Sequence, residues 1–206
     1  MAKTYAIVAG TAIVALLAGL WFATARNAAD IFAACRSSQI AGGTGSIGGP
    51  FTLVNQQGQT VTDKDVITGP SIVYFGYTFC PDICPADTAR NAEAVDLLEQ
   101  QGIMATPVMI SIDPERDTPE VMADFAFNLH ERMIGLTGTV EQVKAASRAY
   151  KTYYQKQEGD EEYYLVNHST FSYLALPEYG VVEYYTRDTT AAEMAESVTC
   201  FVETAS

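Results

Sequence analysis

Ser71-Ile72-Val73-Tyr74-Phe75-Gly76-Tyr77 runs straight into Thr78-Phe79-Cys80-Pro81-Asp82-Ile83-Cys84-Pro85. The first stretch is a continuous apolar run of the length of a buried strand. Pro85 suits the first turn of a helix. The junction therefore reads as strand, short loop, helix. Two thiols four positions apart lie in that loop. Free backbone N–H groups and the helix dipole favour a thiolate at such a place. The turn brings both sulfurs to one side, close enough to share a soft metal ion or to form a disulfide. The spacing alone leaves both chemistries open.

Downstream, residues 86–101 show helical spacing through Ala94, Val95, Leu97 and Leu98, with Gly102 as a stop. Residues 105–112 repeat the buried-strand pattern. Asp113-Pro114-Glu115-Arg116-Asp117-Thr118-Pro119-Glu120 turns the chain, and Asp117 or Thr118 caps a helix that runs to about Leu129. Residues 133–136 form a short strand, and Thr139 caps a helix to about Tyr150. Residues 158–162 are an acidic, solvated loop. Strands follow at 163–167 and 171–176, the second joined through Pro177-Glu178-Tyr179-Gly180 to a partner at 181–185. A last helix fills about 190–202. Upstream, residues 51–54 and 59–61 make a hairpin around Gly58. Strands alternating with helices and ending in a hairpin give an α/β sandwich with helices on both sheet faces. The chain has no phosphate-cradling glycine loop and no Gly-x-Ser-x-Gly elbow, which weakens nucleotide and hydrolase readings.

The 206 residues are 48% hydrophobic and 11% aromatic, enough to pack a core. A formal net charge of −13 argues against nucleic acid as a partner, since phosphates would be repelled. Ala6 to Ala25 carries no charged side chain, and twenty helical residues span about 30 Å, the hydrocarbon thickness of a bilayer. An uncleaved membrane anchor over residues 1–26 is the preferred reading. A cleavable signal peptide is the alternative, because Ala23-Thr24-Ala25 fits a small-residue cleavage site. Either one exports the remainder. Residues 27–49, with their glycine-rich Ala41–Gly49 portion, read as a linker, and residues 50–206 as the domain. An exported domain permits disulfides. If Cys80 and Cys84 act as a pair, the remaining pairing is Cys35 with Cys200, which would tie the two ends of the domain together; two unrelated buried thiols are the alternative.

The chain holds two histidines. His130, at a polar helix end, reads as structural surface. His168, in Tyr164-Leu165-Val166-Asn167-His168-Ser169-Thr170, stands at a strand end, where active residues of open α/β sheets gather. From its position alone it is either a hydrogen-bonding side chain or a ligand.

Three blocks together resemble the Sco/SenC family of copper proteins. They are Tyr74-Phe75-Gly76-Tyr77-Thr78-Phe79-Cys80-Pro81-Asp82-Ile83-Cys84-Pro85, Ser111-Ile112-Asp113-Pro114-Glu115-Arg116-Asp117-Thr118-Pro119 and Leu165-Val166-Asn167-His168-Ser169. The resemblance covers roughly residues 48–200 and the anchor. It implies a thioredoxin-like fold, with a central mixed sheet flanked by helices. It implies copper, as Cu(I) or Cu(II), on Cys80, Cys84 and His168. It further implies a role in assembling the dinuclear copper site of cytochrome c oxidase, with the copper-site subunit and another copper chaperone as partners. The expected location is the bacterial inner membrane with the domain facing the periplasm, or the mitochondrial inner membrane facing the intermembrane space. The family usually has aspartate where this chain has Asn167, which puts a charged supporting role there in doubt.

Ligand chemistry agrees. Two thiolates and an imidazole suit Cu(I), whereas structural zinc would want a fourth protein ligand. Asp82, between the sulfurs, is a candidate for tuning charge or meeting a partner, with a solvated carboxylate as the alternative. The rival function is a thiol–disulfide oxidoreductase that keeps the cysteines of an oxidase subunit reduced. Against it, thioredoxin-like reductases place two residues between the cysteines, and this chain places three. The chaperone reading implies no enzyme, with thiol reduction at most an ancillary activity.

Overall fold

The computed structural model describes residues 13–19, 21, 30–38, 46–159 and 163–206. The chain divides into two compact units, Met1–Ala34 and Cys35–Ser206. In the first, residues 13–19 are helical. Most of the expected anchor, and residues 39–45 of the expected linker, lie outside the described residues. Among the described residues no helix is long and apolar enough to cross a membrane.

The second unit is built on a seven-stranded mixed sheet. Its strands are β1 (Thr52–Asn55), β2 (Thr60–Thr62), β3 (Ser71–Gly76), β4 (Thr106–Ser111), β5 (Ile134–Thr137), β8 (Ser172–Leu176) and β9 (Gly180–Tyr185), in the order β2-β1-β5-β4-β3-β8-β9. β3, β4 and β5 run parallel, while β8, β9, β1 and β2 pair antiparallel at the two edges. β3 is central, and all six of its residues are buried, which is why it reads as an unbroken apolar run. Two further strands, β6 (Tyr154–Lys156) and β7 (Val166–His168), form a separate antiparallel ribbon.

The helices are α1 (Asp63–Val66), α2 (Ile83–Gln100), α3 (Pro119–Leu129), α4 (Val140–Ala149) and α5 (Ala191–Ala205). Thr118, Thr139 and Thr190 are the N-caps of α3, α4 and α5, each accepting a backbone N–H from the first turn. Neighbouring side chains of β3 show how both sheet faces are covered. Tyr74 donates its hydroxyl to Asp87 of α2 at 3.1 Å, whereas the Phe75 ring lies 5.2 Å from Tyr150, which follows α4. Successive strand residues point to opposite faces, so α2 and α4 cover opposite sides of the sheet. α5 packs along α2.

A disulfide joins Cys35 to Cys200 of α5, with the Cα atoms 5.6 Å apart. The chain after Cys35 is fixed to β9 by Glu183, a fully buried carboxylate that accepts the backbone N–H groups of Ser37 and Ser38 at 2.9 and 3.3 Å.

Candidate metal centre

Cys80 and Cys84 occupy the junction between β3 and α2. Cys80 closes a turn with its N–H on the Tyr77 carbonyl, and Asp82 takes the N-cap position of α2. The helix therefore starts three residues earlier than its apolar spacing suggests, and Cys84 stands in the first turn with Pro85 beside it. Both thiols are free and buried, Cys84 completely. The Cys84 N–H donates to Cys80 Sγ at 3.3 Å. Burial pushes the Cys84 thiol well above the ordinary cysteine range, against an opposing backbone hydrogen bond from Tyr77.

His168 arrives from the other direction, as the last residue of β7. Its Nδ1 lies 2.7 Å from the Ser169 carbonyl oxygen. A carbonyl can only accept, so Nδ1 carries the hydrogen and Nε2 offers a lone pair. That lone pair faces Cys84 Sγ at 3.4 Å. Burial holds the imidazole below its ordinary pKa, although the Ser169 carbonyl pulls the other way. The rings of Tyr74 and Tyr77 meet the imidazole edge-on, with centroids 6.1 and 5.9 Å away. The two sulfurs and a ring nitrogen all lie within 4.8 Å of one another, the single such cluster of at least three ligating residues among those described. A neutral imidazole and two sulfurs in an apolar surround form a soft, low-coordinate donor set.

The second sequence block braces this arrangement. Asp117, fully buried, accepts the Thr78 N–H, the Thr78 hydroxyl at 2.6 Å and the Ser111 hydroxyl at 2.6 Å. It thereby ties the thiol loop to the end of β4. Burial raises the Asp117 pKa, and the donated hydrogen bonds oppose that rise. Gly76 is small for a local reason: a Cβ there would lie 2.7 Å from the Tyr74 ring and 3.1 Å from Cys84 Sγ.

A family profile described as SCO1/SenC matches residues 40–203. The chain belongs to the SCO1/SenC family. Protein SenC of Rhodobacter capsulatus is 49% identical over 98% of this chain and 91% of its own length. The mitochondrial Protein SCO1 homolog 1 of Arabidopsis thaliana is 40% identical over 76% of this chain, and the match spans 47% of that longer protein. The crystal structure of Arabidopsis thaliana ScoI with copper bound superposes at a TM-score of 0.72, with 39% identity, covering 76% of this chain and 99% of that one. The mixed sheet with flanking helices is the Sco version of the thioredoxin-like fold.

Two other singled-out residues of this Sco/SenC chain stand at the rim. Asp82 and Asn167 are both exposed and line a cleft of about 290 Å³ with Cys80, Leu165 and His168. Neither joins the thiol–imidazole cluster. Asn167 accepts a hydrogen bond from Gln157 across the ribbon at 2.6 Å, and Asp82 places no side-chain cap on its helix. Cys35 and Cys200 are bonded to each other and stand apart from the free thiols. His130 ends α3, accepting the Arg132 N–H at Nδ1 and facing Asp96 from Nε2 at 3.2 Å. Asp113–Glu120, a turn by its composition, also braces the site through Asp113, Arg116 and Asp117; its one sequence signal is a run of polar side chains directly after a buried strand.

Proposed function

We propose that this Sco/SenC chain is a membrane-anchored copper chaperone that serves assembly of the copper centre of cytochrome c oxidase. The supporting observation is the convergence of Cys80, Cys84 and His168, with the His168 tautomer set so that Nε2 is available. Copper is the cargo, held by two thiolates and one imidazole, and no fourth Cys, His or carboxylate joins them among the described residues. That set favours Cu(I) over structural zinc. The Arabidopsis thaliana relative with copper bound supports copper as the metal. Residues 1–26 anchor the chain, 27–49 link it, and 50–206 face the periplasm, or the intermembrane space in a mitochondrial setting. The receiving partner is the copper-site subunit of the oxidase, with a second copper chaperone as donor.

A second reading has its own support. The Cys84 N–H pointing at Cys80 Sγ places a sulfur at a helix start, and both thiols are free to cycle with a disulfide. Copper titration of the reduced chain separates the two. The chaperone reading predicts one tight site per chain, abolished by Cys80→Ser and weakened by His168→Ala. Unchanged affinity in His168→Ala, together with fast thiol exchange, would favour the reductase.

A further inference from the structure

The ribbon that carries His168 cannot hold it in place alone. Its two strands have three residues each, paired as Tyr154 with His168, Gln155 with Asn167 and Lys156 with Val166, outside the seven-stranded sheet. A two-stranded ribbon of this size is at best marginally stable in water. Its position must come from side-chain attachments. One is the Tyr77 hydroxyl, which accepts the Val166 N–H at 3.2 Å. Another is Tyr164, two residues before β7 and 4% exposed. Val166 and Tyr154 also pack on the core, and Lys156 of β6 lies 3.5 Å from the Tyr164 ring centroid and 3.8 Å from Glu115.

Tyr164 is gripped from two sides of the site. Its hydroxyl donates to Asp113 Oδ1 at 2.6 Å, and its ring lies under the Arg116 guanidinium, 3.6 Å from the centroid. Arg116 Nε donates to Asp113 Oδ2 at 2.5 Å, so one carboxylate fixes both partners through different oxygens. The same guanidinium reaches the thiol side. It lies 4.7 Å from the ring of Phe79, the residue before Cys80, and 5.7 Å from the ring of Tyr77. Only 13% of the Arg116 side chain is exposed, so these contacts are largely shielded from water and stronger for it. A planar, delocalised cation can stack on rings and donate to a carboxylate at once, which an ammonium cannot match.

We propose that Arg116 is the positioning residue that sets the separation between the thiols and His168, by clamping the thiol loop, the 113–117 turn and the His168 ribbon together. It touches none of the three ligands and acts through His168. The metal part of this inference rests on the copper reading; the clamp itself does not.

The test uses the reduced full-length chain and Arg116→Ala. Without metal, amide exchange at Gln157, Val166 and Ser169, whose N–H groups bond to the Leu165 carbonyl, the Tyr77 hydroxyl and the Tyr153 carbonyl, should accelerate while β3 and β4 keep their protection. Cu(I) affinity, measured by competition, should fall about 10–100-fold, the usual cost of losing a residue that orients a ligand. Because Arg116 acts through His168, Arg116→Ala combined with His168→Ala should bind no more weakly than His168→Ala alone. Unchanged ribbon protection, acceleration spread evenly over the core, or additive losses of affinity would each overturn the proposal. Should Arg116→Ala fail to fold, Arg116→Lys keeps the charge for Asp113 but loses the planar stack; it should shift ribbon exchange in the same direction by a smaller factor, and no shift would count against the clamp. If the parent chain binds no copper, the copper reading fails and the exchange measurement still decides the clamp.

Discussion

The thiols of Cys80 and Cys84 rise from the junction of a fully buried central strand and an 18-residue helix, whereas His168 ends a two-stranded ribbon outside the main sheet. The sulfurs are placed by elements that the whole core supports. The imidazole is placed largely by side-chain contacts of the ribbon, among them those of Tyr77, Tyr164, Asp113 and Arg116 and the packing of Val166 on the core. A fixed two-sulfur platform facing a separately attached third ligand suits a site whose cargo must leave. The same contrast appears in protonation. Burial raises the Cys84 thiol and lowers the His168 imidazole, so the first holds its proton at neutral pH and the second does not.

That contrast yields the largest expected effect. Binding copper expels the thiol proton, and each proton released makes affinity rise about tenfold per pH unit. Affinity therefore falls as pH falls, and the raised Cys84 pKa extends this dependence through neutral and mildly alkaline pH. His168, with its pKa held below the ordinary value of about 6.5, is already neutral there and contributes nothing. Between pH 8.5 and 6.5 the affinity should drop at least about 100-fold, with the same slope in His168→Ala. A slope that vanished in His168→Ala would assign the proton to the wrong side of the site.

Gly76→Ala attacks the platform. The added methyl meets the Tyr74 ring and Cys84 Sγ, and overpacking of this kind costs about 1–3 kcal/mol. Chemical denaturation should show that loss of global stability, with copper affinity falling alongside it. Tyr77→Phe attacks the ribbon instead, by removing the acceptor of the Val166 N–H. The cost should be about 1 kcal/mol, seen as faster amide exchange in β6–β7 with β3 unchanged. If Tyr77→Phe loosened β3 and Gly76→Ala only the ribbon, the contrast between the two mounts would be wrong.

How much of this was legible in the sequence follows the same division. β3, β4 and the helix cap at Thr139 are legible because buried strands and capped helices leave local signals. The cap left open between Asp117 and Thr118 falls to Thr118, and the cap at Thr190 comes from the structure alone. Pro85 marks the first turn of α2, as observed, whereas the apolar spacing begins only at residue 86, three residues after the helix itself. β6 left no signal at all: Tyr154-Gln155-Lys156 is short and mostly exposed, with no alternation to detect. β7 was set a few residues early for a similar reason, because Tyr163 and Leu165 look like strand residues yet lie outside it and exposed. The thiol pair declared itself by spacing. His168 needed its resemblance block, since the contact that brings it to Cys84 spans 84 residues of chain. Asp113, Arg116 and Asp117 read as a turn with Asp117 a candidate cap, inside the second resemblance block; their bracing leaves no local signal, because what they hold lies on other elements.

The central claim is that Cys80, Cys84 and His168 bind one copper ion together. X-ray absorption at the copper edge, on the full-length chain loaded with one equivalent of Cu(I), tests it most directly. Two sulfur neighbours and one nitrogen neighbour are expected, with the nitrogen lost in His168→Ala and the sulfurs retained. A parent spectrum fitted by sulfur alone, or one unchanged in His168→Ala, would contradict the three-ligand centre.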